Sequence, residues 1–346
     1  MAECYKENEA IFKNMSQVGI DLYFAAYVST FLVTVVGNVL LITVIIQNKG
    51  GNMKNVTNVL IINICLCNLL IALTVVPFRL VEAVYKYFVL GSFFCIAMPS
   101  LEKILFTLAI LHIMVLAIVR HRAIVFPLKA KPKLRHAIYI SLFLWVVAII
   151  SAAPVMAGMP VSNITDSICT VRFCEPLLWS PEFTRIYYIY LVLINDIPLA
   201  ITIAIYIHIY LVIDRRKVEG SDINLTLKTN LKVLRMLIAM LVASLICWLP
   251  YSTLVFILSI SELRFDGRAT LLNVCKWIAI SNCCCDPIIC VAFNKGFRNG
   301  LKAVFCDIEL GPRYDISVRQ MTRTQKRLQS TDIRAFNESI IYYSNI

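Results

Sequence analysis

The stretch Ile138–Pro154, IYISLFLWVVAIISAAP, carries no charged side chain and is apolar on every side of a helix. A barrel strand in a membrane alternates apolar and polar residues over about ten positions, so this run is not one. A helix of a soluble domain would keep a polar face, and this one has none. Widened to residues 137–157, the block rises about 30 Å at 1.5 Å per residue, the thickness of a bilayer's hydrocarbon core. Six further blocks run at 23–46, 56–81, 93–119, 184–213, 231–260 and 270–292. The 346 residues are 59% hydrophobic and 16% charged, with a mean hydropathy of +0.77. The fold class is therefore an all-α membrane protein, a bundle of seven transmembrane helices, and a soluble enzyme is excluded.

Working outward from the blocks, Lys and Arg set the orientation. One alternating set of connections carries 23 of them, with six from Arg120 to Arg135, six from Arg215 to Arg235 and nine from Lys295 to Arg334. The other set carries seven, and Arg79, Lys103 and Lys276 sit in or at the rim of helices on that poorer side. The N-terminus is thus expected outside the cell in a multi-pass plasma-membrane protein, with residues 1–22 an extracellular tail and the first helix an uncleaved signal. The net charge of +12 becomes a cytoplasmic surface for anionic lipid and an intracellular partner, not a nucleic-acid site. Residues 293–306 read as an amphipathic membrane-surface helix and 307–346 as a polar, flexible cytoplasmic tail.

Seven of the thirteen cysteines fall inside the helices, where a thiol packs as a small apolar group. Consecutive Cys283, Cys284 and Cys285 splay about 100° apart on a helix, so no metal site is expected. Cys306 follows the amphipathic stretch and is a palmitoylation candidate. Of five Asn-x-Ser/Thr matches, only Asn14 and Asn163 fall on the external side, making them the glycosylation candidates. Pro154, Pro198, Pro250 and Pro287 interrupt their own helices and free backbone carbonyls. Asn38, Asn68, Asn282 and Asp286 form a polar set at mid-bundle, costly in lipid unless bonded or functional.

Over about residues 23–306 the chain resembles a rhodopsin-family (class A) G-protein-coupled receptor. The resemblance rests on Gly37-Asn38, Asn63 with Leu69-Leu70, Cys95, Ala117-Ile118-Val119-Arg120-His121, Pro127-Leu128 and Trp145. It continues through Pro198, Tyr206, Cys247-Trp248-Leu249-Pro250, Asp286-Pro287, Phe293 and Phe297-Arg298, and it is carried by the ordered set. It implies coupling to a G protein through Arg120, Tyr206, Trp248, Pro250, Asp286 and Pro287. It implies a disulfide from Cys95 to Cys174, for which Cys169 could substitute. Cys4 and Cys275 are a second candidate bridge.

The chain departs from the family pattern at working positions. Asn68 stands where the family has an acid, Asp286 where it has Asn, Ala109 where it has a small hydroxyl, Val119 where an acid precedes Arg120, and Cys290 where it has Tyr. No cofactor is expected. The sodium site that the resemblance implies is altered by the first three changes. Glu102 sits where amine receptors resemble one another in having Asp, and it needs a cation from a ligand or from a neighbour such as Lys276. Arg79, Glu82, Glu102, Tyr190, Trp248, Tyr251 and Lys276 make a wide outer pocket of mixed sign that suits a peptide.

The expected function is a peptide receptor signalling to a heterotrimeric G protein by movement of the sixth helix, with arrestin and the lipid bilayer as further partners. The alternatives are a non-signalling or constitutively active seven-helix binding receptor, and a receptor for a small cationic ligand. A transporter or membrane enzyme is a distant third, because no helix carries a His/Asp relay or a nucleophile with its base.

Overall fold

The computed structural model describes residues 17–47, 55–84, 91–127, 132–158, 161–166, 169–174, 181–218, 225–260 and 268–310. Seven described helices are long and apolar enough to cross a membrane. Helix α1 is Gln17–Gln47, and α2 runs Val56–Leu70, continues through a π-helical stretch Ile71–Val75, and ends as Val76–Val84. Then come α3 (Gly91–Val125), α4 (Leu134–Gly158), α5 (Pro181–Val218), α6 (Leu225–Ile260) and α7 (Arg268–Phe293). A short helix α8 follows at Lys295–Leu310.

Length explains why helices, not strands, satisfy these segments. In lipid every N–H and C=O must be paired within the segment, and only a helix does that locally. The apolar blocks give the spans Val56–Val81 and Thr270–Phe293 nearly to the residue, while α1 starts several residues before its block. Two differences need a cause. The π stretch in α2 was not anticipated. Pro77 lacks the N–H that an α-helix needs and its ring crowds the carbonyl four residues back, and the widened turn, with Val76 N–H donating to the Ile71 carbonyl, relieves both. The second addition is an antiparallel hairpin, β1 (Val161–Asp166) and β2 (Cys169–Cys174), pairing Val161 with Cys174 and Asp166 with Cys169. This loop is rich in β-branched residues, which favour a paired extended chain.

Helix α3 is the most buried, its core-facing residues running from Ser100 to Ala117. His112, wholly buried, places Nδ1 2.8 Å from the Leu108 carbonyl and Nε2 3.3 Å from Ser141 Oγ, tying α3 to α4. Gly37 lets α1 close on α7, since a Cβ there would stand 2.8 Å from Pro287 Cγ. Because successive spans alternate in direction, the start of α1, the end of α2 and the start of α3 share one end of the bundle. The foot of α3 and helix α8 occupy the other.

Candidate functional site

At the end of the bundle where α3 begins, six helices enclose a cavity of about 210 Å³. Its lining comprises Arg79 from α2, Pro99, Glu102, Lys103 and Phe106 from α3, Val155 from α4, Tyr187, Val192 and Asn195 from α5, Trp248, Tyr251, Ser252 and Val255 from α6, and Lys276 and Ala279 from α7. Phe106 meets Trp248 edge to face with ring centroids 4.5 Å apart, joining α3 to α6 two residues before Pro250.

Five of the seven residues singled out for this pocket line it, namely Arg79, Glu102, Trp248, Tyr251 and Lys276. Tyr190 does not. Its hydroxyl donates to the Ser151 carbonyl at 3.1 Å and binds α5 to α4, while Tyr187, one turn earlier, takes the place in the lining. The side chain of Glu82 lies outside the described residues. The ion pair seen at Glu102 is with Arg79, not with the expected Lys276, and each side chain is only 11% exposed. The wall also holds polar residues that the sequence reading left out. Lys103 Nζ donates to Asn195 Oδ1 at 3.1 Å, and Thr107 Oγ1 donates to the same oxygen at 3.2 Å. A lysine in mid-block, expensive in lipid, was the available signal for that pair.

Below the cavity Asn38, Asn68 and Asp286 of the polar set are joined by hydrogen bonds, while Asn282 pairs separately with Ser244. Asn68 Nδ2 donates to Asp286 Oδ2 at 2.9 Å and to Asn38 Oδ1 at 3.2 Å, and Asn38 Nδ2 donates to the Thr34 carbonyl at 2.8 Å. Ser244 Oγ reaches Asn282 Oδ1 at 3.4 Å. Asp286 is 2% exposed, and its Oδ1 is buried without a hydrogen-bond partner. An uncommitted anionic oxygen fits a cation such as sodium, even though Ala109 offers no hydroxyl.

At the opposite end, Arg120 donates from Nη2 to Thr57 Oγ1 of α2. Its Nε is buried with no hydrogen-bond partner among the described residues, as is the hydroxyl of neighbouring Tyr206. Beside them His121 Nε2 lies 2.9 Å from His208 Nδ1, linking α3 and α5. Cys290 is wholly buried, so this site has no room for the family's phenol without repacking. Cys306 is an exposed free thiol on α8.

Cys95 is disulfide-bonded, while the choice between Cys174 and Cys169 falls on side chains outside the described residues. Cys275 is a free, buried thiol, so the candidate bridge from Cys4 does not form. Asn163 lies in β1 opposite Arg172, and Asn14 is outside the described residues.

Comparison with known proteins converges with this geometry. The family model for the 7 transmembrane receptor (rhodopsin family) matches residues 37–289. The chain is 28% identical to a QRFP-like peptide receptor of Branchiostoma floridae over 79% of this chain and 74% of that one. It is 26% identical to neuropeptide Y receptor type 1 of Xenopus laevis, covering 82% and 80%, and 25% identical to the RYamide receptor of Tribolium castaneum, covering 84% and 82%. The chain belongs to the rhodopsin family of seven-transmembrane receptors.

Proposed function

We propose that this family member is a peptide receptor of the plasma membrane, with its N-terminus and cavity facing outward, that signals to a cytoplasmic heterotrimeric G protein. The observation that carries the reading is the pairing of a charged, partly apolar cavity floored by Phe106 and Trp248 with a half-buried, loosely held Arg120 at the far end. The excess of Lys and Arg on the Arg120 side supports the orientation.

An agonist entering the cavity touches Tyr251 and Trp248, shifts the Phe106–Trp248 contact, and favours an arrangement in which α6 swings out at Pro250. That swing uncovers Arg120 and Tyr206 for a segment of the G protein, and later for arrestin. A sodium ion held by Asp286 Oδ1 would add a positive charge at the centre of the network and favour the resting arrangement. Cys95 paired with Cys174 holds the hairpin over the cavity mouth, sugars sit at Asn14 and Asn163, and a palmitoyl chain on Cys306 pins α8 to the bilayer.

The test is G-protein activation by a synthetic peptide library in cells displaying the chain at their surface. Activation that is lost in Trp248→Ala supports the reading. A second reading, a binding receptor that does not signal, is favoured by Val119 and Cys290 and gives surface binding of a peptide with no G-protein response.

A further inference from the structure

We propose that Lys103, positioned by Asn195, is a subsite for a carboxylate, so that the ligand of this cavity presents a negative group to the wall between α3 and α5. The inference rests on the reading of the cavity as the agonist site and names the chemistry of what binds there.

Charge placement carries it. Glu102 and Arg79 neutralise each other, so an incoming ligand cation must first displace an intramolecular guanidinium. One residue further along α3, about 100° around the helix, Lys103 faces a different neighbour. It is 9% exposed and lines the cavity, and its single described hydrogen bond is the 3.1 Å contact to Asn195 Oδ1. An ammonium has three N–H donors and a full charge, and among the described residues no carboxylate forms an ion pair with this one. Asp196 makes no ion pair with it within 4 Å and is not part of the lining. Thr107 donates to the same Asn195 oxygen and so fixes the amide that orients Lys103. Lys276 of α7 also lines the cavity.

A buried ammonium with one neutral partner is costly, and a ligand carboxylate offsets that cost by giving charge-assisted hydrogen bonds in a low-dielectric cavity. A neutral amide of the same shape supplies an acceptor but no charge. The carboxylate can come from a peptide's free C-terminus, from an acidic side chain, or from a small organic acid.

The test uses the purified full-length chain and measures its melting temperature with N-acetylphenylalanine and, separately, N-acetylphenylalaninamide. The acid is expected to stabilise at roughly ten- to a hundredfold lower concentration than the amide. Lys103→Met should abolish that preference and Lys103→Arg should keep it, which leaves the outcome decisive even if the Met variant folds poorly. Equal action of acid and amide, no action of either, or a preference that survives Lys103→Met overturns the proposal. A peptide library made as free acids, as amides, and as amides containing Asp or Glu then separates the sources through G-protein activation. An acid preference in melting with no activating peptide sinks the signalling reading and leaves the subsite standing. Activation by neutral amides alone does the reverse.

Discussion

Two half-buried arginines sit at opposite ends of this bundle and are held in opposite ways. Arg79 on α2 meets the carboxylate of Glu102, whereas the hydrogen bond of Arg120 on α3 among the described residues is to the hydroxyl of Thr57. The first is charge against charge in a poorly solvated place, stiff because breaking it strands an ion. The second is charge against a dipole, which costs little to exchange for another partner. The cavity end is thus built to hold its shape while the Arg120 end is built to let go.

The largest expected effect is at the stiff end. Glu102→Gln strands the Arg79 guanidinium and should cost about 3 to 5 kcal/mol, read as a fall in surface expression and melting temperature. Adding Arg79→Met should recover most of the loss. If the two single losses add, the pair is not what stiffens that end. A packing change of comparable reach sharpens the contrast. Gly37→Ala puts a methyl 2.8 Å from Pro287 Cγ, and the displaced ring should cost about 1 to 3 kcal/mol in melting temperature. Because this loss involves no charge, it should not be rescued by any change at Arg79.

The spans were legible because lipid leaves the backbone no alternative, so apolar length located Val56–Val81 and Thr270–Phe293 despite the few charges inside them. The partner of Glu102 was not legible. Spacing along one helix says which face Glu102 occupies, but not which of several neighbours faces it, so the sequence pointed to a ligand cation or a neighbour such as Lys276 and not to Arg79. Tyr190 failed for the same reason, since a turn of helix separates the ring that lines the cavity from the ring that braces α4. Lys103 was visible as a buried charge, but its bond to Asn195 joins residues 92 apart and no local pattern announces it. At the other end, the missing acid before Arg120 was plain in Val119, whereas Thr57 as its substitute partner emerged only from the fold.

The loose end gives the two smaller predictions. Val119→Asp supplies the missing carboxylate beside Arg120 and should lower ligand-independent G-protein signalling, by about 1 to 2 kcal/mol or roughly five- to thirtyfold in the inactive-to-active ratio. Thr57→Val removes the hydroxyl and should raise basal signalling roughly fivefold, about 1 kcal/mol, at unchanged surface expression. Basal activity that ignores both changes would mean Arg120 is held by something other than its hydrogen bond to α2.

The π stretch at Ile71–Val75 has a consequence for how α2 aims its side chains. Residues eleven apart on an unbroken α-helix return to within about 20° of the same azimuth. Asn68 and Arg79 are so spaced, yet Asn68 points to α1 and α7 while Arg79 points to α3. The widened turn is a phase shifter: it turns the last part of the helix without bending the first. A chain of the same length wound as a plain α-helix through Ile71–Val75 would keep Asn68 in the central network and turn the guanidinium back toward the side that Asn68 faces, away from Glu102. In this bundle the reading frame of one helical turn sets the charge of the cavity.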